Sequence, residues 1–195
     1  MITEANFKKY LIEKLNKINP GWINEDQDGY LCDKKKADLV NQLLKIAIEI
    51  KDDTKYKYEE PPLSGEIVTR TVDLSAKNKQ FKDDAQDANK KFRSYPDYKT
   101  IFLLRTEFIK EPIDVVSYVF SGLRRFIRIN NSHKEISRWN KYFSDSSTTE
   151  IGGYLLFSGK KYFYSKNPNA KENRHLDKVG VKKILGEEIE DFLIN

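Results

Sequence analysis

Two acids and a lysine, Asp38, Glu49 and Lys51, are the residues of this chain whose types and spacing point to chemistry. The run Ile46-Ala-Ile-Glu-Ile-Lys51 alternates with period two, the signature of a half-buried strand. Ile46, Ile48 and Ile50 fall on one face, and Ala47, Glu49 and Lys51 on the other. Upstream, Ala37-Asp-Leu-Val40 reads as a shorter strand, and residues 41–45 as the turn that pairs the two antiparallel. That turn would carry Asp38 towards Glu49 and Lys51. Two carboxylates meeting at one point repel unless a cation lies between them. Hard oxygen donors with an open position suit Mg²⁺ or Mn²⁺, and the backbone carbonyl of Ile50 would be a third protein ligand. Lys51 beside that ion would orient or deprotonate an attacking water, or steady the charge developing on a phosphorus centre. This donor set suits metal-assisted phosphodiester hydrolysis. The competing reading is a surface edge strand on which Glu49 and Lys51 form a solvated charge pair.

The elements around these residues set how they would be held. Residues 3–18 have helical periodicity, with Thr3 as N-cap, Pro20-Gly21 as the stop, and Phe7, Leu11, Leu15 and Ile18 as the apolar stripe. Glu4 falls on that stripe, where a first-turn carboxylate also favours the helix dipole. A strand is expected to start at Gly21-Trp22-Ile23. Asp33 competes with Asp38 for the upstream acid, but it sits in a polar, basic run and Asp38 in an apolar one. Residues 66–74 read as a strand and 75–95 as a helix, with a narrow stripe of Phe81, Ala85, Ala88 and Phe92. Ile101-Phe-Leu-Leu104 is apolar on both faces, as in a central strand covered from both sides. A second long helix is expected over 113–129, introduced by Pro112. The chain then predicts a hairpin from Gly153–Phe157 to Tyr162–Tyr164, and a closing helix over 181–194.

With these residues set out, Asp38 followed by Glu49-Ile50-Lys51 resembles the PD-(D/E)xK signature of restriction endonuclease-like nucleases, with Ala37 where the signature has proline. The resemblance covers roughly the first half of the chain at the level of the motif. It implies an α/β fold: a restriction endonuclease-like core with a central mixed sheet flanked by helices, here followed by a C-terminal hairpin and helix. The expected organisation is one nuclease-like domain, residues 1–195, with its core about 1–130 and an extension about 131–195. The resemblance also implies Asp38 and Glu49 as ligands of Mg²⁺ (or Mn²⁺), Glu4 as a first-helix acid that completes the site, and Lys51 as the catalytic lysine. Lys77 and Gln80, in the first turns of the helix after the lysine strand, become candidates for contact with nucleic acid.

The densest basic stretch is Arg124, Arg125, Arg128, Lys134, Arg138 and Lys141, against the single acid Glu135. Arg124, Arg125, Arg128 and Arg138 are therefore the candidates for phosphate contact, although a solvated helix end would look the same. DNA is the expected partner because most nucleases of this type act on it, and nothing in the sequence excludes RNA. A homodimer would supply the two sites that cutting both strands calls for.

Composition narrows the remaining classes. The 195 residues suit one compact unit, and the net charge of +5 permits a polyanionic partner without proving one. The single Cys32 excludes an internal disulfide; with no export signal and no apolar run of spanning length, a cytoplasmic protein without membrane contact is expected. His133 and His175 stand far apart with no second ligand at metal spacing. There is no glycine-rich phosphate loop, zinc pattern or serine elbow.

Overall fold

A computed structural model describes residues 3–25, 36–52, 75–106, 125–129, 132–137, 148–158 and 161–191, with backbone alone for 75–82, 106, 125–129, 132–137, 158 and 190–191. Helix α1, Glu4–Ile18, starts where Thr3 adopts an extended backbone and its hydroxyl accepts the Asn6 N–H at 3.3 Å. Its buried residues are Phe7, Leu11 and Leu15, and Ile18 stays partly exposed. Strand β1, Trp22–Asn24, pairs antiparallel with β2, Leu39–Asn41, which pairs antiparallel with β3, Ile46–Asp52. The turn between β2 and β3 closes with the Leu44 N–H on the Asn41 side chain at 2.9 Å and Lys45 at φ 51°. Helix α2, Ser75–Phe92, precedes β4, Lys99–Thr106, which lies parallel to β3.

The later strands complete the same sheet. β7, Gly153–Ser158, pairs parallel with β4, and β8, Lys161–Lys166, closes an antiparallel hairpin with β7. β9, Ile189–Asp191, pairs parallel with β8. The order β1-β2-β3-β4-β7-β8-β9 is a mixed open sheet, and with helices on both faces the fold is α/β. One core layer joins Ala47, Phe102, Leu104, Tyr154 and Leu156 to Ala85, Ala88 and Phe92 of α2. The other joins Ile46, Ile48, Ile50, Ile101 and Leu103 to Phe7, Leu11 and Leu15 of α1 and to Val181, Ile184 and Leu185. The alternation of β3 therefore sorts its side chains as the sequence predicts, and β4 is covered on both sides.

Two stretches of the C-terminal half differ from expectation. Residues 125–129, expected to end a helix, form strand β5, Arg125–Ile129, paired antiparallel with β6, Ser132–Ser137, in a separate two-stranded sheet. The aromatic and β-branched residues Phe126, Ile127 and Ile129 suit a strand, and cross-strand pairing prevails over the helical spacing. Residues 113–124 lie outside the described residues, as does the strand expected at 66–74. The closing helix is shorter than predicted: α3, Lys178–Leu185, stops at Gly186, whose left-handed backbone (φ 64°) places its N–H on the Lys182 carbonyl. Its Cβ position is filled by Ile18, 2.6 Å away. The chain after Gly186 then adds β9 to the sheet instead of continuing the helix.

A buried ionic knot ties the second half of the sheet to α2. Arg174, 2 % exposed, donates to the carbonyls of Phe92, Tyr95 and Tyr98 and to Glu150. It so adds a second donor to the Phe92 and Tyr95 carbonyls, which already accept the Tyr95 and Tyr98 N–H groups at the end of α2. Lys171 also grips Glu150; burial opposes the charge, but these two bases hold the Glu150 carboxyl below its usual range. The Glu150 N–H returns to the Asn89 side chain at 2.8 Å. The end of α2 is thereby held against the sheet.

Candidate active site

Asp38 lies just before β2 instead of within it. Its side chain explains this: Oδ2 accepts the Ile50 N–H of β3 at 2.7 Å, so the carboxylate stands where a backbone rung would continue the ladder. Asp38 is thus brought beside Glu49 and Lys51, and it is almost fully buried. Its second oxygen, Oδ1, accepts the Lys8 ammonium at 2.7 Å. Lys8 also lies 2.9 Å from Glu4, one turn earlier on α1. Glu4 consequently reaches the acid pair through Lys8 and remains largely exposed. Burial opposes the Lys8 charge, but Asp38 and Glu4 more than offset it and hold its pKa above the usual lysine value.

Glu49 is fully buried on the α2 side of the sheet. Its Oε1 accepts Lys91 at 2.7 Å and lies 3.4 Å from Lys51, while Oε2 has no hydrogen-bond partner. Burial, followed by the nearby negative charge of Asp38, pushes the Glu49 carboxyl up to about 7, against the pull of Lys91 and Lys51. Lys51, partly exposed, stands 3.6 Å from Asp87 and 3.9 Å from Asp84. Burial alone would lower its pKa; Glu49, Asp84 and Asp87 together raise it, so it is an ammonium at neutral pH. Asp84 is itself raised, first by burial and then, against Lys51, by its acidic neighbours. Beyond Lys51, Asp52 pairs with Arg105 of β4 at 2.5 Å, and Arg105 lies 4.9 Å over the Phe7 ring. The strand carrying the site is thus pinned to both its neighbour and α1.

The structure gathers four residues that sequence reasoning did not single out: Lys8, Asp84, Asp87 and Lys91. Asp84, Asp87 and Lys91 recur at i, i+3 and i+7, each one position before a buried apolar residue of α2 (Ala85, Ala88, Phe92). That charged ridge beside the apolar stripe is a signal that could have found them. Lys8 likewise follows Glu4 by four residues on the core-facing side of α1. Of the expected nucleic-acid contacts, Lys77 and Gln80 lie in the first turns of α2 and Arg125 and Arg128 on β5; all four side chains are outside the described residues. Arg124 and Arg138 lie outside them altogether, as do Cys32 and Asp33.

Among the described residues, no group of three or more His, Cys, Asp and Glu side chains is arranged to hold a metal ion; Lys8 and Lys91 instead pair with Asp38 and Glu49. Two features nevertheless fit a cation. The unpartnered Glu49 Oε2 is a buried oxygen acceptor without a donor, and carboxylates outnumber ammonium groups five to three in the set Glu4, Asp38, Glu49, Asp84, Asp87, Lys8, Lys51 and Lys91. Hard oxygen donors with excess negative charge are the chemistry of a Mg²⁺ or Mn²⁺ site. No described helix is long and apolar enough to cross a membrane. No family model, curated protein or solved structure matches this chain.

Proposed function

We propose that this chain is a metal-dependent nuclease of the restriction endonuclease-like, PD-(D/E)xK class, hydrolysing phosphodiester bonds, with DNA as the expected substrate and RNA as the second. The observation that carries this reading is the meeting of Asp38 and Glu49 at the carboxyl end of β3, with one Glu49 oxygen unpartnered and the Lys51 ammonium beside it. Asp38, Glu49 and the Ile50 carbonyl would hold Mg²⁺ or Mn²⁺, with Glu4 contributing through Lys8. Bound there, the ion would supply a water of lowered pKa and neutralise the charge of the scissile phosphate. Lys51, held protonated by three carboxylates, acts as a donor: it orients the attacking water and stabilises negative charge at phosphorus. This favours the electrostatic role over proton abstraction, because a lysine whose pKa is raised is a poor base at neutral pH. Arg124, Arg125, Arg128, Arg138, Lys77 and Gln80 are the proposed contacts to the phosphate backbone. A homodimer would place two such sites on a duplex.

A second reading, a nucleic-acid-binding module with the same fold and no cleavage, draws on a specific observation. Lys8 and Lys91 already sit 2.7 Å from the two acids and neutralise them without an ion. One experiment separates the two. Single-stranded, duplex and branched DNA and RNA are incubated with wild-type, Asp38→Ala and Lys51→Ala protein in Mg²⁺ and in Mn²⁺. The nuclease reading expects cleavage by the wild type and a loss of at least about a hundredfold in each variant. Salt-sensitive binding without cleavage in either metal would replace it with the module.

A further inference from the structure

The backbone that carries Asp38 is anchored from outside its own strand. β2 begins at Leu39, so strand pairing stops short of Ala37 and Asp38. The Ala37 N–H, fully buried, instead donates to the Tyr95 hydroxyl oxygen at 3.2 Å. That hydroxyl donates in turn to Glu25 Oε2 at 2.5 Å, and Lys36 lies 4.0 Å from the same carboxylate oxygen. Three segments thus converge on the residue before Asp38: the residue after β1, the end of α2, and the approach to β2.

The chain of bonds has a direction. A tyrosine hydroxyl has one proton and two lone pairs. Because its proton goes to the Glu25 carboxylate, the oxygen is left to accept from Ala37. A charge-assisted bond on one side strengthens the acceptor on the other. Burial first, and the Glu25 side chain after it, keep the hydroxyl protonated. The Tyr95 ring is itself fixed by an edge contact with Tyr98, 5.4 Å between centroids, and its carbonyl receives Arg174. The anchor is therefore rigid at its far end.

This arrangement also accounts for the alanine at position 37. A proline there would fix φ through its ring but would carry no N–H. Alanine is freer and carries an N–H that must be satisfied when buried. The Tyr95 hydroxyl satisfies that N–H and supplies the restraint that the ring would otherwise provide.

We propose that Tyr95 is a positioning residue: the relay Glu25–Tyr95–Ala37 holds the Asp38 backbone so that its carboxylate meets the Ile50 N–H and faces the cation site. The proposal rests on the reading of Asp38 as a metal ligand, and its test is built to fail separately from that reading. Tyr95→Phe removes the hydroxyl and keeps the ring. In the metal-free variant, the Ile50 amide proton, which reports the 2.7 Å bond to Asp38, moves upfield in ¹H–¹⁵N spectra, whereas Tyr98→Phe leaves it in place. The dissociation constant for Mn²⁺, measured by calorimetry, rises about tenfold, as for loss of a residue that orients a metal ligand. The double variant Tyr95→Phe/Ala37→Pro recovers most of that loss, because the buried N–H left without an acceptor is gone and the proline ring restrains φ in its place. Should Tyr95→Phe fail to fold, Glu25→Gln, which keeps an acceptor but removes its charge, shifts the same amide proton in the same direction by less. An unchanged Ile50 amide and unchanged Mn²⁺ affinity in Tyr95→Phe, with or without a lower melting temperature, overturns the proposal. A shifted Ile50 amide in a protein that binds no Mn²⁺ even as wild type retains the positioning of Asp38 and overturns the metal reading instead.

Discussion

Replacing Glu49 with glutamine should make the metal-free protein more stable at pH 8 and, if the proposed nuclease function holds, abolish cleavage. Glu49 is fully buried, lies beside Asp38 and has its carboxyl pushed up to about 7 from 4.5. A folded-state pKa above the unfolded one means that the folded protein binds more protons between those values. Stability is then fully present below about 4.5 and is lost as pH rises through about 7. At about 1.4 kcal/mol per pKa unit, the ionised group destabilises the fold at pH 8 by on the order of 3 kcal/mol relative to its neutral form. Glutamine has the same shape and no charge, so it escapes this loss. Its carbonyl still accepts from Lys91, which keeps Asp87 3.9 Å away, but the charge-assisted part of the bond to Glu49 disappears. The pull of Lys91 and Lys51 is already contained in that shift, so the gain is on the order of 3 kcal/mol at pH 8 and falls below about 1 kcal/mol at pH 5. Urea unfolding of wild type and variant at both pH values, in EDTA, reads this difference directly. Millimolar Mn²⁺ should then stabilise the wild type and leave the variant unmoved. A variant that is less stable by the same amount at both pH values would refute the reasoning, because Glu49 would then be a structural ion pair and not a charge held for a ligand.

Two further outcomes test the framework around the site. Arg174→Met should destabilise the protein by about 3–5 kcal/mol in chemical unfolding, because Glu150 loses a buried charged partner and the carbonyls at the end of α2 lose their second, charged donor. Gly186→Ala should lower stability by at least about 1–2 kcal/mol, from the left-handed backbone at that position and the Ile18 side chain in the path of the new Cβ. A melting temperature equal to the wild type for Gly186→Ala would mean that α3 ends elsewhere.

Local periodicity already determined much of this protein. Alternating isoleucines set which face of β3 is buried, Thr3 and Phe7-Leu11-Leu15 define α1, and apolarity on both faces marks β4 as central. These are decided by neighbours a few residues away, which a sequence displays. The pairing of Asp38 with Lys8, of Glu49 with Lys91, and of Ala37 with Tyr95 depends on partners 30, 42 and 58 residues distant. Charges on α1 and α2 look like ordinary solvated faces until the sheet brings them to one point. Strand pairing outside the element decided two further stretches. Residues 125–129 pair across to 132–137, and the segment after Gly186 joins the sheet edge at β8. At β9 the partner is distant in the chain and at β5 it is the adjacent hairpin strand; in both, strand pairing prevails over helical spacing, because a strand's stability comes from the strand beside it and a helix's rungs from within itself.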